Sequence, residues 1–158
     1  MNRDELLALK PEELLRLCRC DTYRGVGPGG QKRNKTESAV RVTLEEQQLS
    51  AFDDTSRSQH ENKLHALSKL RRQIALQMRL APRAWDGEVP SLRNAAREQW
   101  VAVALDALES TGYRLAEAAA ILGSSTSRLS KELGKDPQVW QFVNSARTAR
   151  ELPPLKLK

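Results

Sequence analysis

Hydrophobic positions along this 158-residue chain change period several times, and each change marks an element. Residues 11–19 (PEELLRLCR) open on a proline suited to a first helical position and carry Leu14, Leu15 and Cys18, as a short helix would. Residues 21–38 have no period; Gly25, Gly27, Pro28, Gly29 and Gly30 exclude regular structure and predict a loop. Residues 39–44 (AVRVTL) alternate and are rich in β-branched side chains, so a strand is expected, with a second, weaker one within 47–54. From 58 to 80, Leu64, Leu67, Leu70, Ile74 and Met78 recur at steps of three or four, which predicts one long amphipathic helix. Pro82, Gly87 and Pro90 then mark a linker at 81–91. The chain beyond is Ala- and Leu-rich and reads as helical over 92–150, ending in a tail, 151–158, expected to be mobile.

Composition sharpens this outline. Aromatic residues are only 4% of the chain, so the core must be built from Leu, Ala, Val and Ile. A net charge of +6 with a pI near 9.6 fits a nucleic-acid or ribosomal partner. The opening, MNRDELLALKPEELLRL, carries acids early and resembles neither a secretory signal nor a transit peptide. No apolar run approaches membrane-spanning length, so no membrane partner is expected and the cytoplasm is the expected location. Cys18 and Cys20 supply only half of a four-ligand zinc site, and His60 and His65 do not share a helix face. Neither metal nor cofactor is therefore expected. No sustained heptad offers a dimer seam, and a monomer is expected.

The loop holds the chemistry. Gly29 and Gly30 permit backbone angles closed to other residues and a close approach to a ligand. Lys32, Arg33 and Lys35 follow at once, which suits an anionic target; Gln31 and Asn34 offer amides that cannot titrate. Nothing here is a nucleophile or a general base, so catalysis would have to proceed by placing donors, as in oxyanion stabilisation. The Walker phosphate loop requires Lys where this sequence has Gln31. A plain flexible turn has the same composition.

The stretch GPGGQKRNKTESAVRV resembles the GGQ segment of class I peptide-chain release factors and their stop-codon-independent rescue relatives, through Gly29, Gly30, Gln31, Asn34, Lys35, Ser38, Ala39 and Val40. A second segment, Arg57-Ser-Gln-His60 followed by Asn62-Lys63, resembles the one that opens that family's long helix. The likeness spans residues 20–80. It implies an α+β fold, with a small GGQ domain at 21–80 (a short β-sheet packed on a long helix) after an N-terminal helical segment at 1–20. It also implies the function: hydrolysis of the peptidyl-tRNA ester in the peptidyl transferase centre of the large ribosomal subunit. In that family the backbone N–H of the Gln stabilises the oxyanion, its side chain confines the attacking water, and the glycines shape the backbone. Gln31 is then the catalytic position, supported by Gly29 and Gly30, and a candidate for amide methylation by a glutamine methyltransferase. The sequence departs from many members at Lys32-Arg33, where an uncharged pair is common. Contacts to ribosomal RNA are expected from Lys32, Arg33, Asn34, Lys35 and Arg57, and from Lys63, Lys69, Arg71, Arg72 and Arg79 along the helix.

Stop-codon-reading members are far longer and carry decoding domains, so the chain resembles the rescue branch. The dense basic tail of well-known rescue members is thin here: Arg147, Arg150, Lys156 and Lys158. Residues 98–133 carry another signature. Ala119, Gly123 and Leu129 fall at the first-helix, turn and second-helix positions of a helix-turn-helix, with Ser125 or Thr126 as cap. Arg128 and Lys131 would project from its second helix, and Arg114 lies just before its first; all three are expected to touch ribosomal RNA, or tRNA exposed on a split subunit. The sequence thus predicts an all-α, helix-turn-helix-like unit at 92–150. A plain helical hairpin fits the same pattern. The rival function is a non-catalytic rRNA- or DNA-binding regulator with a GGQ-like fold.

Overall fold

The computed structural model describes residues 1–24 and 37–157. The chain divides into two compact units, Met1–Gln77 and Met78–Lys158.

The first unit comprises helices α1 (Arg3–Ala8) and α2 (Pro11–Arg16), strands β1 (Arg19–Tyr23), β2 (Ala39–Leu44) and β3 (Leu49–Asp53), and helix α3 (Gln59–Gln77). The sheet is antiparallel with β2 central. Tyr23 faces Ala39 across β1 and β2, and Val42 faces Ala51 across β2 and β3. A 3-10 turn at Glu45–Gln47, closed by a left-handed Gln48, joins β2 to β3. The alternation read in AVRVTL holds: Val40, Val42 and Leu44 are buried and Arg41 is exposed. Helix α3 covers that inner face with Leu67, Leu70 and Ile74, each fully buried side chain contributing about 1.5–3 kcal/mol. Ser58 starts the helix, its hydroxyl accepting the Glu61 N–H at 3.3 Å.

Three sequence expectations shift here. A strand, β1, occupies residues that were expected to end a helical segment and begin a loop; RCDTY has a β-branched and an aromatic residue but too little apolar alternation to stand out. Leu64, placed in the buried stripe, is 45% exposed, whereas Asn62 and Ala66 are buried. The i, i+4 line Asn62–Ala66–Leu70–Ile74 fixes the helix phase, and a polar residue at its head hid that phase. Helix α3 ends at Gln77, so Met78 and Arg79 fall beyond it.

The second unit contains α4 (Arg97–Ser110), α5 (Leu115–Leu122), α6 (Thr126–Gly134) and α7 (Pro137–Ala149). Helix α4 is buried almost all round, from Trp100 to Leu108. Helices α5 and α6 meet through the turn Gly123–Ser125. Gly123 adopts φ 75°, the Ser124 N–H returns to the Ala119 carbonyl, and the Ser125 side chain caps α6. Ala119 and Leu129 are both buried. The mixed α+β class therefore holds.

Guanidinium groups hold this unit together. Arg97 donates to the Pro90 carbonyl, to the Glu132 carboxylate and to the Glu132 carbonyl, with its charge 4.5 Å from the centre of the Trp100 ring. Residues 81–91 contain no helix or strand, yet Trp85 N–H donates to the Leu122 carbonyl, and just before them Leu80 N–H donates to Asp106. The residues after α7, expected to be free, fold back. Asn144 brackets the backbone of Leu155, and Arg147 donates to the carbonyls of Pro153 and Tyr113. Arg147 thus serves the fold rather than a basic tail.

Candidate functional site

Strands β1 and β2 run antiparallel, and Tyr23 pairs with Ala39, so the intervening segment leaves and re-enters the sheet at neighbouring strand ends. The expected catalytic residues Gly29, Gly30 and Gln31, and Lys32, Arg33, Asn34 and Lys35 beside them, lie outside the described residues.

The return limb of the stem that carries them is gripped by the start of α3. The Gln59 side chain donates to the Glu37 carbonyl at 2.7 Å, and the Asn62 amide donates to the Ser38 carbonyl at 2.7 Å. The same Asn62 nitrogen donates to the Ser56 carbonyl at 2.8 Å, while its oxygen accepts the Ser56 N–H at 2.9 Å. Asn62 is fully buried, so every polar atom of its amide is satisfied by backbone. On the β1 limb, Thr22 donates to the Glu37 carboxylate at 3.2 Å. The two sequence motifs therefore meet: the second is the clamp for the first.

A second polar knot lies below the clamp, on the sheet's inner face. Asp53, 3% exposed, accepts from Thr55 N–H at 3.0 Å, from Thr55 Oγ1 at 2.7 Å and from Lys69 Nζ at 2.9 Å. Burial pushes the Asp53 carboxyl up, but the hydrogen bonds from Thr55 and Lys69 outweigh it and hold the group well below the ordinary carboxylate range. Elsewhere, burial and then the neighbouring Cys20 raise the Cys18 thiol to about 11, so it is no nucleophile at neutral pH.

The predicted RNA contacts on the helix divide by environment. Arg57 is exposed and Lys63 half-buried. Lys69 is engaged by Asp53 and by the Phe52 carbonyl, and Arg71 donates to the Leu7 carbonyl at 2.8 Å. Arg72 is half-buried. Arg79, read as part of the helix, donates instead to the Ala102 carbonyl in the second unit. Arg128 and Lys131 are exposed on α6 and form no ion pair among the described residues.

Sequence reasoning quoted Gln59 and Asn62 without giving them a task, and passed over Asp53. The available signal was an amide at a buried helical position, which must be satisfied locally. Also unread was the outer face of the sheet, where Tyr23 and Phe52 stack with ring centres 5.4 Å apart and Arg41 lies over Phe52.

With this geometry in view, comparison with known proteins is direct. Residues 8–99 match the RF-1 domain, and the chain belongs to that family. It is 52% identical over 66 residues to peptide chain release factor 1 of Leptothrix cholodnii and 46% identical over 54 residues to peptide chain release factor 2 of Neorickettsia sennetsu. Those stretches cover 42% and 34% of this chain but only 17% and 15% of the two relatives. No described helix is long and apolar enough to cross a membrane.

Proposed function

We propose that the chain promotes hydrolysis of the peptidyl-tRNA ester on the large ribosomal subunit and so frees stalled polypeptides without reading a stop codon. One observation carries this reading: an intact Gly29-Gly30-Gln31 sequence hangs from a stem whose Glu37 and Ser38 carbonyls are clamped by Gln59 and Asn62. A loop that acts by aiming a backbone donor needs such an anchored base. The Gln31 N–H stabilises the oxyanion and its side chain confines the water, while Gly29 and Gly30 supply the backbone shape. Gln31 is the position a glutamine methyltransferase would modify.

Lys32, Arg33, Asn34, Lys35, Arg57 and Lys63 contact ribosomal RNA beside the loop. Lys69, Arg71 and Arg72 add positive potential, and Lys69 and Arg71 also brace the fold. The chain works in the cytoplasm as a monomer. Stop-codon independence belongs to the same reading. The alternative, a regulator that binds rRNA or DNA without catalysis, draws on the α5–α6 pair.

Peptide release from stalled 70S particles and from isolated 50S–peptidyl-tRNA complexes tests the reading. Gly30→Ala adds a Cβ to the loop and should lower release by about 10²-fold or more, with ribosome binding retained. Gln31→Ala should lose less, because the backbone N–H survives. Undiminished release by Gly30→Ala would sink the mechanism. Release should be equal with a stop codon, a sense codon or no codon in the A site; a preference of about tenfold, or 1.4 kcal/mol, would reveal codon recognition.

A further inference from the structure

The outward face of α6 and the segment that follows α7 meet in one place. A groove of about 600 Å³ there is lined by Arg128, Lys131 and Lys135, by the hydroxyls of Ser127 and Ser130, and by Leu157. Positions 127, 131 and 134 share this face, opposite the buried Leu129 and Leu133. Three cations face the groove. The nearby carboxylate, Glu132, is already held by Arg97 at 2.8 Å and by Lys135 at 2.6 Å. Burial pushes Glu132 up, but those two partners hold it below its ordinary value, so it stays ionised and paired.

The following segment reaches this groove by an enforced route. Helix α7 ends in a reversal in which Glu151 N–H donates to the Thr148 carbonyl and Leu152 N–H to the Arg147 carbonyl. Glu151 takes φ 61°, a left-handed conformation that costs a non-glycine residue about 1–2 kcal/mol and persists where its surroundings impose it. The imposing contacts come next: Arg147 Nε donates to the Pro153 carbonyl at 2.9 Å. Asn144 accepts the Leu155 N–H at 2.6 Å and donates to its carbonyl at 3.3 Å. Pro153 and Pro154 favour an extended path that needs no internal hydrogen bonds. The path brings Leu157 over Gly134, so close that a Cβ at Gly134 would stand 2.6 Å from Leu157 Cδ2. Leu157 is nevertheless 67% exposed, standing at the groove's rim rather than filling it.

We propose that residues 152–157 form a strap that builds one wall of a phosphodiester-binding groove on α6, latched by Asn144, and that this groove takes the backbone of an RNA. The inference rests on the reading that the second unit contacts RNA. It adds Ser127, Ser130 and Lys135 to the contact set and gives the strap a task. Exposed cations and hydroxyls match phosphate oxygens.

The test titrates the full chain with a fluorescently labelled RNA hairpin by anisotropy, and separately with 50S subunits by co-sedimentation. Arg128→Glu with Lys131→Glu should weaken both by about tenfold or more and flatten the salt dependence. Asn144→Ala removes the latch and should weaken them about three- to tenfold. Gly134→Ala, which favours the helix but displaces Leu157, should act in the same direction and covers the case in which Asn144→Ala folds poorly. Charge reversal that weakens binding while Gly134→Ala and a folded Asn144→Ala bind like the wild type would overturn the strap and leave the RNA reading standing. Unchanged binding after charge reversal would overturn both. Duplex DNA titrated in parallel should bind more weakly; tighter binding to one DNA sequence at physiological salt would assign the groove to DNA and overturn the RNA proposal.

Discussion

In the first unit the most deeply buried amide, Asn62, donates to the carbonyls of Ser38 and Ser56 and accepts from the Ser56 N–H. In the second, buried Arg97 reaches Pro90 and Glu132, and half-buried Arg147 reaches Tyr113 and Pro153. Both units fasten irregular backbone to a helix through a side chain, but with different groups. A neutral amide offers two donors and an acceptor within one small plane, which suits the tight junction where a loop rejoins a strand. A guanidinium spans farther and can only donate, which suits carbonyls left free by extended segments such as 81–91 and 152–157. The difference also separates functions. The amide lies at the root of the loop proposed to do chemistry, whereas the guanidinium groups brace the unit proposed to grip RNA.

The largest expected effect comes from removing these anchors in turn. Asn62→Ala leaves the Ser38 carbonyl and both Ser56 backbone groups unpaired and should cost about 2–3 kcal/mol. Peptide release should fall with it while α6 binding is unchanged. Arg97→Leu should cost a similar amount in the second unit and leave release from a saturated complex near the wild-type rate. Thermal melts and single-turnover release read the two effects; equal loss of release in both variants would erase the distinction drawn here.

A smaller effect concerns acid. The Asp53 and Glu132 carboxyls are both lowered in the folded protein. Each contribution is therefore fully present above the ordinary carboxylate values near pH 4 and is lost as pH falls through the folded-state value. Melting temperature should decline below about pH 4. Lys69→Met removes a partner that lowers Asp53, so less stability depends on its ionisation, and the decline should be shallower than in the wild type and level off at higher pH. An acid limb identical to wild type would show that Lys69 does not hold Asp53 in solution.

The smallest effect is a gain. Glu151→Gly relieves the left-handed residue after α7 and should stabilise the chain by about 1 kcal/mol. Unchanged or lower stability in a denaturant melt would show that the Glu151 side chain has a compensating partner.

Much of this was legible in the amino-acid order. Strand β2 follows from the alternation of AVRVTL, α3 from its apolar steps, and the α5–α6 turn from Gly123 and Ser125, because period and capping are local properties. The GGQ stretch and the Arg57–Lys63 segment were visible as motifs, and both fall within the residues that match the RF-1 family. Other features required the tertiary structure. Strand β1 becomes regular only by pairing with β2, and RCDTY alone does not encode that register. Asn62 looks like a surface residue until the Ser38 and Ser56 backbones are brought to it. Lys69, Arg71 and Arg147 look like free cations until Asp53 and the carbonyls of Leu7 and Tyr113 stand beside them. Periodicity tells which side of a helix turns inward, because burial is read from neighbours a few residues away. Which charge is bound and which is free depends on partners up to sixty-four residues distant, as Arg71 and Leu7 are, and only the folded chain brings such partners together.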